Sequence, residues 1–202
     1  LEGKALSFGY RRKDRAVLDR VNLTLNPGER LGLTAPSGRG KTTLCKLLAG
    51  YEKPKEGEVL LDGRPLAHGR GYCPVQMIWQ HPETVVDPLM KLGDTLAEGW
   101  PVEQRVLDGL HIEPGWLERY PTELSGGELQ RFCIARALGP ATRFLLCDEI
   151  STMLDLITQA QIWNFLLEEA ARRELGLLIV SHTPALLERL CTRTQPLDPS
   201  PV

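Results

Sequence analysis

An apolar run, RLGLT (residues 30–34), passes directly into APSGRGKTT (35–43), where a helical spacing of Leu44, Leu47 and Leu48 begins. A buried strand, a glycine-rich loop and a helix start in immediate succession leave few folds open. The loop comes within one residue of G-x-x-x-x-G-K-[ST], which surrounds a phosphate with backbone N–H groups at the positive end of a helix. In that setting Lys41 can reach the β- and γ-phosphates of a nucleotide, and the Thr42 hydroxyl can ligate Mg²⁺. The departure is Ala35, where the pattern has glycine. Alanine adds one methyl and is barred only from positive φ. If Ala35 has a negative φ at the strand exit, the loop survives the change. Gly38 and Gly40 stand on the lysine side, where backbone approach to a phosphate leaves least space. The plainer alternative is a glycine turn capping a core helix, with Lys41 merely solvated.

The rest of the chain alternates strands with helices. VNLTLNPGERLGLT reads as two strands around an Asn-Pro-Gly turn, GEVLLDGRPL as a strand ending in an Asp-Gly turn, and PVQMIWQ, RFLLC and GLLIV as buried strands. GGELQRFCIARAL and LITQAQIWNFLLEEAARREL read as helices, and Gly50 as a helix stop. This order predicts an α/β fold with a mostly parallel sheet covered on both faces. From His81 to Leu124 the texture shifts to prolines, glycines and short amphipathic pieces such as VEQRVLDGL, a candidate inserted helical lobe. The tail TQPLDPSPV reads as frayed, and Pro196 as interrupting a further strand, since proline cannot donate to a ladder.

Composition removes several classes. With 202 residues and a net charge of -2, the chain has ample material for a core and offers no electrostatic case for nucleic acid. Its apolar runs are too short to span a bilayer. No secretory leader opens the sequence, and with Leu1 rather than Met first it is compatible with a start inside a longer protein. Five scattered cysteines without a C-x-x-C pair read as buried thiols of a reducing compartment and not as a zinc site.

Two further stretches decide between the readings of the loop. RFLLCDEI ends an apolar strand in Asp148 and Glu149. An acid at that strand edge can hold Mg²⁺ through its water shell, and a second beside it can orient and polarise an attacking water. Alone, the pair would read as a strand ending in exposed charge; coupled to GRGKTT it does not. In LSGGELQRF, Ser125 and Glu128 form a capping box for the following helix. Yet Gly126 and Gly127 are poor first-turn residues unless something needs close access to their N–H groups, and a bare helix start suits a phosphate.

Taken in order, APSGRGKTT, Gln80, LSGGE, FLLCDE, STMLD and SHTP resemble the ATP-binding subunit of an ABC transporter, from Tyr10 to about Leu190. The resemblance implies a P-loop NTPase core, a small antiparallel β subdomain and an inserted α-helical subdomain. It divides the chain into residues 1–80, 81–124 and 125–202. ATP and Mg²⁺ are the implied ligands. Ser37, Gly38, Arg39, Gly40, Lys41, Thr42 and Thr43 match the loop around the phosphates, and Tyr10 matches the aromatic that stacks on adenine. Thr42, Gln80 and Asp148 match the groups at the metal, Gln80 also touching the lytic water and linking to the membrane subunits. Glu149 matches the catalytic base and His182 the switch histidine on the γ-phosphate. Ser125, Gly126 and Gly127 match the signature that reaches ATP held by a second subunit, and Asp155 the aspartate that contacts it. Ala35, Glu128 (for the commoner glutamine) and Ile150 (for proline) depart from the pattern, and none removes a group that contacts phosphate or metal.

VQMIWQHPETVVDPLMKLGDTLAEG, RYPTELSGGELQRFCIARAL and LITQAQIWNFL are most similar to the peptide and nickel importer group. The similarity implies a second, identical or related, ATP-binding subunit closing head-to-tail, transmembrane permease subunits, an external solute-binding protein and a place on the cytoplasmic face of the membrane. A soluble ABC ATPase without a transport role, or the ATPase of another ABC transporter type, is the alternative. Against it, translation-type members resemble tandem duplications and this chain carries one motif set. Repair-type members carry a long coiled-coil insertion, for which Gln80 to Ser125 leaves no room.

Overall fold

The computed structural model describes residues 1–10, 16–36, 38–66, 72–152 and 154–197. Strands β1 (Glu2–Phe8), β2 (Leu18–Thr24), β4 (Glu56–Leu61) and β5 (Arg64–Pro65) form an antiparallel sheet in the order β2-β1-β4-β5. Strands β3 (Arg30–Thr34), β6 (Val75–Ile78), β7 (Phe144–Asp148), β8 (Gly176–Val180) and β9 (Arg193–Pro196) form a parallel sheet in the order β6-β7-β8-β3-β9. Helices α1 (Lys41–Leu48), α2 (Leu92–Ala97), α3 (Gln104–Gly109), α4 (Gly126–Ala137), α5 (Leu156–Arg173) and α6 (Pro184–Leu190) connect them. The two strands read on either side of Asn26-Pro27-Gly28 therefore belong to different sheets.

Apolar runs without alternation are what a two-sided sheet needs, and the register shows both sides used. Leu145, Cys147, Leu177 and Ile179 face a core shared with α4, α5 and the segment 81–124. Their neighbours Phe144, Leu146, Leu178 and Val180 join Leu31, Leu33 and Leu44 in a second core beneath α1 and the antiparallel sheet. At about 1.5–3 kcal/mol per fully buried aliphatic side chain, burial on both faces anchors the sheet that carries the site. Segment 81–124 contributes Leu92, Leu96, Val106, Leu110 and Trp116 to the core it shares with Leu129 and Phe132 of α4.

Parallel strands put all their carboxyl ends on one edge, where ligands of such sheets bind. Here that edge receives the loop after β3, Gln80 beyond β6, Asp148 closing β7 and His182 after β8.

The tail differs from its sequence reading. Arg193 to Pro196 form β9, with Pro196 opposite Thr34, and the Leu197 N–H donates to Thr34 O at 2.8 Å. Proline fits because β9 is the sheet's edge strand. Residues 198–202 lie outside the described residues.

Candidate active site

The loop residues Gly38, Gly40, Lys41, Thr42 and Thr43 meet Tyr10, Gln80, Glu149 and His182 around a cleft of about 490 Å³. Ala35 is not among the residues with positive φ, whereas Gly38 and Gly40 have φ of 74° and 85°. The alanine therefore occupies a loop position that does not require glycine, and Gly38 and Gly40 occupy two that strongly favour it. At Gly40 the fold itself adds a second obstacle to any side chain. A Cβ there would lie 2.8 Å from Leu18 Cδ2 and 3.0 Å from Val17 Cγ1, so strand β2 and its approach already obstruct a side chain with no anion bound.

Lys41 is nearly buried, 5% exposed. Its ammonium donates to the carbonyls of Ala35 at 2.8 Å and Pro36 at 3.3 Å, and stands 3.9 Å from Glu149 Oε1. The loop thus folds its own acceptors around the cation that a phosphate would recruit. At the far side Tyr10, an exposed ring packed edge-on against Phe8 with centroids 5.1 Å apart, has its hydroxyl 3.1 Å from Thr43 Oγ1. That contact ties the ring to the rim of the cleft.

The carboxylates have different environments, which separates their chemistry. Asp148 is buried and its Oδ1 has no hydrogen-bond partner. Burial pushes its carboxyl above the usual range, against the opposing hydrogen bond from the Thr42 hydroxyl. An orphaned anionic oxygen beside a hydroxyl, both hard donors, fits a Mg²⁺ with its water shell. Glu149 has φ of 54°, a left-handed conformation costing a non-glycine residue about 1–3 kcal/mol. Its N–H donates to Val180 O at 3.1 Å and its carbonyl accepts from Thr152 Oγ1 at 2.9 Å, so both sides of the strained turn are tied. The turn aims the side chain into the cleft, where Oε1 lies 2.6 Å from His182 Nε2. The tautomer bearing its proton on Nε2 donates to the carboxylate and holds its orientation.

Not every residue singled out from the sequence reaches this cleft. Arg39 is exposed and does not line it, and Ser37 lies outside the described residues. Ser125, Gly126 and Gly127 also lie off it, at the exposed start of α4. The capping box is formed: Ser125 Oγ accepts from Glu128 N–H at 3.3 Å and Glu128 Oε2 accepts from Ser125 N–H at 2.7 Å. Asp155 caps α5, accepting from Ile157 and Thr158 N–H at 3.0 Å each, and hydrogen bonds from Thr158 hold its carboxyl below the usual range. One cleft residue escaped the sequence reading. Val17 lines the wall beside Tyr10, and a single valine before a strand carries no motif that marks it.

A phosphate loop, the strand-end Glu149 and a glutamine line one cleft, Asp148 lies buried behind it against Thr42, and a serine–glycine helix start stands off it. The sequence profile of the family described as "ABC transporter" matches residues 18–152. The chain belongs to the ABC transporter family. Among its curated relatives is the nickel import ATP-binding protein NikE of Rhodospirillum rubrum, 35% identical over 96% of this chain and 77% of that protein. NikE of Escherichia coli K12 is 33% identical over 95% of this chain and 78% of that protein. Among solved structures, an ATP-binding subunit of an ABC transporter superposes with a TM-score of 0.84 at 25% identity, over 97% of this chain and 85% of that one. A dimeric ATP-binding cassette bound to ADP and Pi has the same fold, with a TM-score of 0.83 at 23% identity over 98% and 94% of the two chains. The resemblance read from the motifs holds: the ABC protein described here is an ATP-binding subunit.

Proposed function

We propose that this subunit hydrolyses ATP to energise a membrane importer, with nickel, a metal chelate or a peptide as cargo. The observation that carries the ATPase reading is the placement of Glu149 Oε1, 2.6 Å from His182 Nε2 and 3.9 Å from Lys41 Nζ at the mouth of the phosphate loop. There the carboxylate accepts a proton from a water positioned for attack, while His182 fixes the carboxylate and contacts the γ-phosphate. Lys41 exchanges its loop carbonyls for the β- and γ-phosphates, which Gly38, Gly40, Thr42 and Thr43 approach through their N–H groups. Tyr10 stacks on the adenine and Val17 closes the adjoining wall. Thr42, Gln80 and Asp148 hold Mg²⁺, which when bound neutralises phosphate charge.

The signature and Asp155 lie off the cleft, which supports a head-to-tail pair in which each subunit completes the other's nucleotide site. ATP then bridges the two halves, and its hydrolysis removes the bridge. The fold shared with a dimeric cassette carrying ADP and Pi supports this arrangement. We assign residues 1–80 and 125–202 to the nucleotide-binding core and 81–124 to a helical subdomain that relays the motion to permease subunits through Gln80. Among the described residues no helix is long and apolar enough to cross a membrane. Attachment to permeases on the cytoplasmic face, fed by an external solute-binding protein, completes the importer. The relatives named for nickel import, at 33–35% identity, support nickel as the first cargo to test. The experiment is affinity purification of the tagged chain from detergent-solubilised membranes of its own cells, followed by nickel uptake with and without the gene. Integral membrane proteins in the eluate and loss of uptake support the importer; a chain that purifies alone and leaves uptake of nickel and peptides unchanged contradicts it.

A further inference from the structure

The hydroxyl of Ser125 has one proton, and Glu128 holds it. Ser125 Oγ and the Ser125 N–H both donate to Glu128 Oε2, each at 2.7 Å, and the Glu128 N–H returns to Ser125 Oγ at 3.3 Å. A glutamine at this position would close the same capping box without a charge. The hydrogen bonds from the Ser125 backbone and then its hydroxyl hold the Glu128 carboxyl below the usual range, with Arg119 and Arg131 adding to the effect. Glu128 is therefore an anion at neutral pH. The helix start around it is otherwise open to a phosphate. A Cβ at Gly126 would meet nothing within 4 Å, and Ser125 and Gly126 are exposed.

We propose that Glu128 is a positioning residue that sets the ATP threshold of subunit closure: it keeps the Ser125 hydroxyl turned inward and repels the γ-phosphate that a second subunit presents. The inference rests on the reading that Ser125 meets the partner's nucleotide. For Ser125 to donate to a phosphate, its proton must leave Glu128 Oε2, and the two anions then flank one hydroxyl at roughly 5 Å. Even at the dielectric of bulk water that repulsion is worth about fourfold in affinity, and more in a closed interface. ATP closes the pair only when its remaining contacts outweigh this opposition, so the threshold lies above the concentration at which a lone subunit fills.

The test is the ATP concentration at half-maximal turnover of the purified chain, with the melting temperature and the ATP affinity of the monomer measured alongside. Glu128→Gln keeps the cap and removes the charge. It should lower half-saturation at least about fourfold, leaving monomer affinity, kcat and melting temperature as in the wild type. Glu128→Ala should lower half-saturation too, but should also lower the melting temperature, because the reciprocal cap is lost. A purely structural Glu128 would instead leave Glu128→Gln at the wild-type value and raise half-saturation in Glu128→Ala, which overturns the proposal. Ser125→Ala separates the two levels. Wild-type turnover in that variant refutes the signature reading itself, whereas impaired turnover together with an unmoved Glu128→Gln threshold refutes the role of Glu128 alone.

Discussion

Substituting Gly40 isolates the part of the phosphate loop that the fold, and not the ligand, dictates. Its φ of 85° places it in the left-handed region, where a non-glycine residue loses about 1–2 kcal/mol. The added methyl of Gly40→Ala would sit 2.8 Å from Leu18 Cδ2, 3.0 Å from Val17 Cγ1 and 3.2 Å from the Val17 carbonyl. Leu18 is fully buried and cannot swing away, so repacking adds about 1–3 kcal/mol. The two terms together give about 2–5 kcal/mol. Gly38 is the control, since its φ is 74° and a Cβ there would meet nothing within 4 Å. Gly38→Ala should lose only the backbone term, about 1–2 kcal/mol. Ala35→Gly should lose about 0.4–1 kcal/mol through the unfolded chain alone and leave ATP affinity unchanged, because Ala35 has no positive φ to relieve. Urea denaturation of the three variants at 25 °C, with ATP titration of each, reads all these terms. Equal losses in Gly40→Ala and Gly38→Ala would refute the collision with β2. A tenfold gain of ATP affinity in Ala35→Gly, about 1.4 kcal/mol, would show that the alanine impairs the loop after all.

Three other outcomes follow from the cleft and from the helix start outside it. Lys41→Ala should weaken ATP binding by at least about 100-fold, about 2.7 kcal/mol, since the ammonium is the one buried cation among the loop residues; wild-type affinity by calorimetry would dissociate the loop from phosphate binding. Asp148→Asn should stop hydrolysis and yet stabilise the ligand-free fold at neutral pH. Burial raises the Asp148 pKa, so its stabilising contribution is full below the unfolded value and is lost as pH rises through the folded one. A gain in melting temperature should therefore appear at pH 7 and vanish in acid, and a drop at pH 7 would contradict the burial argument. Ser125→Ala should impair turnover, leave monomer ATP affinity unchanged and cost about 1 kcal/mol of stability as a lost cap; a large fall in monomer affinity with the fold intact would place the signature in its own cleft.

The phosphate loop, the carboxylate pair and the capping box were legible because each is local. Their spacing on one strand end or one helix start already carries the chemistry. Strands β3, β6, β7 and β8 were legible for the same reason, as apolar runs too dense to be exposed. Strand β1 was not, because EGKALSF breaks its alternation at two register shifts, with Ala5 at φ of 49°. The edge strand β9 was hidden by Pro196, which only its edge position makes tolerable. Neither the closeness of Val17 to Gly40 nor that of Tyr10 to Thr43 has any signature in sequence, since the first is made by the approach to β2 and the second by the exit from β1, each meeting a loop distant in the chain. The left-handed backbone at Glu149 is likewise invisible, because glutamate is not a residue that advertises positive φ.

The central claim is that Glu149, held by His182 and facing Lys41, is the base of an ATPase. Glu149→Gln tests it most directly, because the amide has nearly the same shape and cannot take up a proton. Steady-state turnover measured with ATP affinity on the same preparation should show binding retained and hydrolysis reduced by at least about 100-fold. Hydrolysis near the wild-type rate with ATP bound would place the base elsewhere and contradict the account.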